Sequence, residues 1–488
     1  MDSVRSKMLL PTLAMFRNRR LFLRFVAAGL CLGFLLFWTF SPTSSSSLHL
    51  ATSGISTPRS LPCHSLPGTK ETLFILRTGA TEIADRLPAH ISTSLRCFPN
   101  HIVFSDFEER FQDENVLDAL EFVDPQIIAN NQGFELYRRL QRDGRAGLAP
   151  SELSGSEAQA LSDSGHAEIP GWKLDKWKFV PMVNRTLYEF PDMDWYVFME
   201  ADSFILWSTL QLYLSKMDPT KPHYLGVDTY IGDDPPFAHG GAGFIVSRPA
   251  MRMVVDYYSE HKAAIEAWTD GHWAGDAVLG KTFKDAGVPL TSVWPLVHGE
   301  STGHAFFARS GSPGVPKEYK QVWCYPAGTY HHMSSAAVDS LWHFEQKWLE
   351  QREKVRFRQS PGIHQLIQFQ SSDTLSPQDT DVLRHKDIFK DYVMPQMSGV
   401  RTDWDNLNDG RETEANSLGE CRAACEKDST CRQYSYDRDG KCTTRVNPRL
   451  GIPSNGTTSG WLEDRVAAFE RDMAPCENEG FDSLPGSV

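Results

Sequence analysis

Residues 73–106 read LFILRTGATEIADRLPAHISTSLRCFPNHIVFSD, and this stretch decides the fold class. Leu73-Phe74-Ile75-Leu76 is a short apolar run that stops at Thr78-Gly79, the pattern of a buried strand entering a turn. Ile83, Leu87, His90, Ile91 and Leu95 then recur at helical spacing over 82–95. His101-Ile102-Val103-Phe104-Ser105-Asp106 is a second apolar run, ending on an acid. Strand, helix and strand at this spacing form a βαβ unit, so the expectation is an α/β fold with a mainly parallel sheet and helices on both faces. In such sheets ligands bind beyond the carboxyl ends of the strands, where Thr78 and Asp106 fall.

Downstream, residues 141–171 are rich in Gly, Ser, Ala and Glu and read as an exposed loop. A helix is predicted over about 173–189, then a strand, Trp195-Tyr196-Val197-Phe198-Met199, running into Glu200-Ala201-Asp202. The α/β pattern continues to about 350, giving one domain over 70–350. Residues 351–402 read as a polar connector, with short helices around 381–393. A short Cys-rich module follows over 403–476, then a tail over 477–488. No internal repeat is evident.

Upstream, residues 1–24 carry a net charge of +5, which leaves −18 on the remainder of a chain whose total is −13. The acidic body argues against a nucleic-acid partner, and the basic head points to a membrane. Residues 21–40, LFLRFVAAGLCLGFLLFWTF, are apolar apart from Arg24 and Thr39, and match the roughly 20 residues a helix needs to cross a bilayer. Arg24 can snorkel toward the basic end and Trp38 suits the opposite interface. The expected topology is a cytoplasmic tail over 1–20, a signal anchor over 21–40, a Ser-rich stem over 41–69 and a lumenal remainder. A cleaved signal peptide is the competing reading, but the run is long for one and no small-residue cleavage site follows cleanly. Outside the span lie eight cysteines, an even set that usually pairs in a translocated chain. Cys63 and Cys97 flank the first strand and helix and are expected to be bonded, leaving Cys324 and Cys476 as a remaining pair. Asn184-Arg185-Thr186 and Asn455-Gly456-Thr457 are N-glycosylation acceptors in that compartment.

Four features can carry chemistry, and each has an ordinary alternative. Glu200 and Asp202 project to one side of an extended strand end and can share a hard divalent ion, though solvated acids at a loop start are commoner. Gly240, Gly241 and Gly243 in Phe237-Ala238-His239-Gly240-Gly241-Ala242-Gly243-Phe244 allow close approach of a ligand, or simply a tight turn. Asp276 in Gly275-Asp276-Ala277-Val278-Leu279-Gly280 can be a catalytic acid or a helix N-cap. His331 in Tyr330-His331-His332-Met333 can complete an acidic metal site or lie on the surface.

In this order and spacing, over about 70–350, the features resemble glycosyltransferase family 31, the inverting UDP-sugar enzymes that include fringe and the core 1 β1,3-galactosyltransferases. Thr78-Gly79, Cys97, the acid-ended strand at 106, Trp177-Lys178 and Asp194-Trp195 belong to the same ordered set. The resemblance implies a GT-A-type fold and Mn²⁺, or Mg²⁺, held by Asp202 and His331. It also implies Asp276 as catalytic base, Gly240 and Gly241 at the donor–acceptor junction, and Thr78 and Asp106 at the nucleotide. The family's acidic triplet is usually all Asp; here Glu200-Ala201 replaces two of them, leaving Glu200 to act through water or ribose contacts. The implied activity is transfer of galactose, N-acetylglucosamine or glucose from a UDP-sugar donor to a glycan or glycoprotein acceptor, probed by UDP release, in a type II Golgi membrane protein.

Cys421-x3-Cys425-x5-Cys431-x10-Cys442 sets an i, i+4 pair on one helical face and resembles a PAN/apple domain, a disulfide-held binding module. That resemblance implies Cys421–Cys442 and Cys425–Cys431 pairing and a carbohydrate or protein ligand; four cysteines by themselves permit three pairings. Two further functional readings stand beside enzyme activity: a catalytically silent relative acting as chaperone or scaffold, and an extracellular binding protein working through the Cys-rich module.

Overall fold

The computed structural model describes residues 61–154, 170–307, 322–359, 382–407, 410–473, 476 and 481. The expected tail at 1–20, span at 21–40 and most of the stem expected over 41–69 lie outside the described residues; the stem's end, from Leu61, is described and packs on the domain, with Cys63 buried. Among the described residues no helix is long and apolar enough to cross a membrane.

The opening motif is strand β1 (Thr72–Arg77), helix α1 (Ile83–Ser92) and strand β2 (His101–Ser105). β1 and β2 pair in parallel, Phe74 opposite His101. Strands β3 (Glu109–Phe111) and β4 (Glu114–Asp118) and helices α2 (Pro125–Asn130), α3 (Glu135–Asp143) and α4 (Pro170–Glu189) follow. Then come β5 (Trp195–Glu200), β6 (Phe204–Ile205), α5 (Trp207–Leu214), β7 (Tyr224–Gly226), β8 (Asp228–Thr229), β9 (Phe237–Ala238) and β10 (Phe244–Ser247). Helices α6 (Arg248–Gly271) and α7 (Gly275–Asp285), strands β11 (Thr291–Ser292) and β12 (Thr329–Tyr330) and helix α8 (Ser335–Gln359) complete this part.

The main sheet has eight strands in the order β11-β7-β10-β5-β1-β2-β4-β3. The centre is parallel, β5, β1, β2 and β4 running the same way, while β10 is antiparallel between β5 and β7. All six positions of β1 are buried, as a strand covered on both faces requires. Its side chains alternate between two cores. Phe74 and Leu76 meet Ile83 and Leu87 of α1 and Leu341 of α8. Leu73 and Ile75 meet Phe179 and Val183 of α4, Val254 of α6 and Phe283 of α7. Cys63 is bonded to Cys97, closing the chain around β1 and α1.

The segment read as a polar connector differs from that reading in its second half. Helix α9 (His385–Ile388) and the turns through Gln396 bury Leu383, Ile388, Phe389 and Val393 in the same core as Phe74 and Trp323. Beyond it follow β13 (Val400–Asp405), β14 (Arg411–Thr413), α10 (Leu418–Lys427), β15 (Gln433–Tyr436), β16 (Cys442–Arg445), β17 (Ile452–Trp461) and α11 (Glu463–Arg471). These strands form an antiparallel sheet ordered β13-β17-β15-β16-β14. Ser417 caps α10 by accepting from the Glu420 N–H. Cys421 and Cys425 on its buried face are bonded to Cys442 and Cys431. Cys324 is bonded to Cys476.

Candidate functional site

The chain leaves β1 toward β2 and β4 on one side and returns to β5 on the other, so a crevice opens between the carboxyl ends of β1 and β5. A cavity of about 600 Å³ lies there. Glu82 and Asp106 come to it from beyond β1 and β2, Asp175 and Lys178 from α4, and Glu200 and Asp202 from the end of β5. His239, Gly241, Asp276, His331 and His332 complete its lining. The cavity thus gathers Asp106, Glu200, Asp202, Gly241, Asp276 and His331 of the residues singled out from the sequence. Thr78 lies just behind the wall, its hydroxyl donating to Glu82 at 3.1 Å and its carbonyl accepting from Lys178 Nζ at 3.0 Å.

Asp202, His331 and His332 each offer one ligand atom, and the three atoms lie within 4.8 Å of one another. Asp202 Oδ1 is 3.4 Å from His331 Nε2, and its Oδ2 is 3.9 Å from His332 Nδ1. Asp202 Oδ1 is buried and receives no hydrogen bond. Burial alone would push the Asp202 carboxyl up, yet His331, Arg86 and His332 hold it well below the usual carboxylate range. Burial likewise opposes charge on His331, and Asp202 overcomes it and raises the imidazole. His332 has a positive φ of 53°, a conformation that persists only where neighbours enforce it. The two imidazoles stack at 3.8 Å between centroids, and the Met333 N–H donates to the Asp202 carbonyl at 2.6 Å. His332, unlike His331, was not singled out from the sequence; its place in the doublet was the available signal.

Asp276 sits in the first turn of α7, but the N-cap is Ala274. One carboxylate oxygen of Asp276 accepts instead from the Gly240 N–H at 3.0 Å, the other from the Ala277 N–H at 2.9 Å. Burial raises this carboxyl above its ordinary range against those two hydrogen bonds. The glycine run is required by space. A Cβ on Gly240 would lie 2.7 Å from the Phe179 ring, and one on Gly241 would lie 2.2 Å from His331 Nε2.

Glu200 takes a different place from Asp202. Arg77, stacked 4.0 Å over the Phe179 ring, donates to both Glu200 and Asp175. Burial pushes the Glu200 carboxyl up to about 7, reinforced by Asp175 and Asp202 and opposed by Arg77. Lys178 stands 3.4 Å from Asp106 Oδ2, while Asp106 Oδ1 accepts from the Ala80 N–H at 2.6 Å. Sequence reading passed over the roles of Arg77, Arg86 and Asp175; position beside Thr78 was the only hint for Arg77. Of the two glycosylation acceptors, Asn455 is exposed on β17, whereas Asn184 is half-buried on α4 with its Thr186 fully buried.

The Cys-rich unit lies apart from these residues in sequence and has its own small core, in which the four bonded cysteines surround Tyr434. Its antiparallel sheet carries one helix bridged across it by two disulfides. Residues 399–449 match the PAN domain. The sheet of the PAN domain extends past that match through β17, whose Trp461 joins the main core.

Proposed function

We propose that the chain is a metal-dependent, inverting glycosyltransferase of GT-A type. It transfers a hexosyl unit from a UDP-sugar to a hydroxyl of a glycan or glycoprotein, in β1,3 linkage, on the lumenal side of the Golgi membrane. The reading is carried by one observation: the Asp202–His331–His332 cluster and the buried Asp276 share a cavity at the carboxyl ends of β1 and β5. Six carboxylates line that cavity, Glu82, Asp106, Asp175, Glu200, Asp202 and Asp276, against the cations Arg86 and Lys178. A diphosphate entering this field needs a divalent counter-ion. One carboxylate and two imidazoles fit such an ion, and the donor mix suits Mn²⁺ better than Mg²⁺, which prefers all-oxygen ligands. When bound, the ion supplies charge neutralisation for the leaving UDP.

The chain's own groups do the remainder. Arg86 and Lys178 offer positive charge to the nucleotide phosphates. Asp276, fixed by the Gly240 and Ala277 amides, accepts the acceptor hydroxyl proton as that oxygen attacks the anomeric carbon. Its burial-raised carboxyl is the better proton acceptor for this step. A single displacement from the face opposite UDP inverts configuration. The test separates the two acids. Asp202→Asn should weaken calorimetric binding of Mn²⁺ with UDP, while Asp276→Asn should keep that binding and lose turnover about 10²–10⁴-fold. Loss of nucleotide binding in Asp276→Asn alone overturns the assignment. The engagement of Glu200 by Arg77, away from the metal cluster, favours a second reading as a silent scaffold. Tight UDP–Mn²⁺ binding with no UDP released from any UDP-sugar would select it.

A further inference from the structure

Three aromatic residues stand at the mouth of the cavity, outside the acidic interior. Trp172 comes from the first turn of α4, Trp273 from the turn between α6 and α7, and Tyr230 from the loop between β8 and β9. Trp273 is 59% exposed and Tyr230 64% exposed. Seven large hydrophobic residues are exposed among the described residues, and these are the two that line the cavity. The indoles of Trp172 and Trp273 are near-parallel, 16° apart at 6.3 Å between centroids. The turn that carries Trp273 is fixed. Lys176 Nζ donates to the carbonyls of Asp270 and His272 at 2.7 and 3.0 Å, and His272 Nε2 lies 2.9 Å from Asp234 Oδ2, pinning the turn that carries Trp273.

We infer that the rim of Trp172, Trp273 and Tyr230 binds a neutral pyranose ring of a glycan acceptor, with an apolar C–H face of the sugar laid on the exposed indole of Trp273. The inference rests on the glycosyl-transfer reading and names its acceptor class. An exposed indole held rigidly at a cavity mouth gains by covering its face, and loses little conformational freedom when covered. Three residues further along the chain is Asp276, so the platform and the proton acceptor stand on one short fixed stretch. Asp228, 3.1 Å from the Tyr230 hydroxyl, and Asp234, 2.9 Å from His272 Nε2, add carboxylates beside the rim to which ring hydroxyls can donate. The same carboxylates repel an anionic acceptor, which selects a neutral sugar.

The test uses the full-length protein in detergent and an immobilised panel of oligosaccharides ending in neutral hexoses or N-acetylhexosamines, with an unglycosylated Ser/Thr peptide as the other arm. The wild type should retain at least one neutral glycan. Trp273→Ala and Tyr230→Ala should weaken that retention about 10-fold, the scale of uncovering one ring face. Trp273→Phe should stay within about 3-fold of wild type, because it keeps an aromatic face. Thermal melts and UDP–Mn²⁺ calorimetry on each variant control for folding. Wild-type retention in Trp273→Ala, or capture of the bare peptide and no glycan, overturns the inference. UDP–Mn²⁺ binding with Trp273-independent glycan affinity sinks the rim alone. Trp273-dependent glycan retention without UDP binding supports the sugar site and sinks transfer instead.

Discussion

Gly240→Ala and Gly241→Ala are adjacent changes of one carbon, yet the structure sends them to different parts of the cavity. At Gly241 the new Cβ would sit 2.2 Å from both Nε2 and Cε1 of His331. Ordinary van der Waals contact begins near 3.4 Å, so the ring must retreat by about 1 Å or more. It has little room, being stacked on His332 at 3.8 Å and edge-on to His239 at 5.3 Å. A retreat of that size far exceeds the roughly 0.2 Å tolerance of a metal–ligand distance. Mn²⁺ affinity should fall at least 10–100-fold, with about 1–3 kcal/mol lost from overpacking. At Gly240 the Cβ meets the Phe179 ring at 2.7 Å and the Asp276 Cβ at 3.4 Å. That change should displace Asp276 and cost turnover, with metal binding near wild type. Gly271→Ala, which meets nothing within 4 Å, is the control. Isothermal calorimetry with Mn²⁺ and UDP, melting curves and UDP release on all three variants decide the matter. Wild-type Mn²⁺ affinity in a folded Gly241→Ala protein would refute the reasoning, as would identical profiles for the two variants.

Two predictions concern stability. Glu345 is buried on α8 and accepts from the Ser208 N–H and Oγ at 2.8 and 2.7 Å; burial pushes its carboxyl up to about 7 from 4.5. Between those values the folded chain holds a proton that the unfolded chain has released, so stability should fall by about 3 kcal/mol as pH rises through the window. Glu345→Gln keeps the acceptor and should flatten the denaturant-unfolding profile between pH 4.5 and 7; parallel profiles for the two proteins would count against it. The Cys324–Cys476 bridge closes 152 residues and Cys421–Cys442 closes 21. Replacing each pair by Ser should cost about 5 and about 3 kcal/mol respectively on the chain-entropy model, in that order by urea denaturation. The reverse order would refute the loop-length argument.

The central βαβ unit was legible because its information is local. Leu73 to Leu76 alternate between two cores, and a turn signal follows directly. The same locality made the i, i+4 pair Cys421 and Cys425 readable. Asp276 was readable as a helix-start acid, but its release from capping was not, because Gly240 claims it from 36 positions away. Arg77 was invisible for the same reason: its partners Asp175 and Glu200 are 98 and 123 positions distant. The connector misled because Leu383, Ile388, Phe389 and Val393 are spaced among charges that average to a polar stretch. Burial there is decided by Trp323 and Phe469, which approach Phe389 at 5.5 and 5.6 Å.

The same core also ties the C-terminal sheet to the cavity. Helix α11 and the end of β17 do not close a separate core: Leu450, Trp461, Val466 and Phe469 enter the one that holds Phe74 and Trp323. Arg445 and Arg449 lie over Phe306 at 5.8 and 5.2 Å, and the Gly451 N–H donates to the Gly303 carbonyl at 3.0 Å. The approach is so close that a Cβ on Gly303 would lie 2.3 Å from the Gly451 oxygen. The strip from Leu296 to Phe307 is therefore held from one side by the PAN sheet. On its other side the strip holds the candidate site: the His331 N–H donates to the Glu300 carbonyl at 3.2 Å, and the Gly328 N–H to Leu296 at 2.8 Å. The Thr329 hydroxyl continues the path, accepting from the His298 N–H at 3.1 Å and donating to the Ala242 carbonyl, beside Gly241, at 2.9 Å. A disulfide-held sheet on one side and the candidate ligand His331 on the other thus share one strip of backbone, so packing against that sheet helps to position His331.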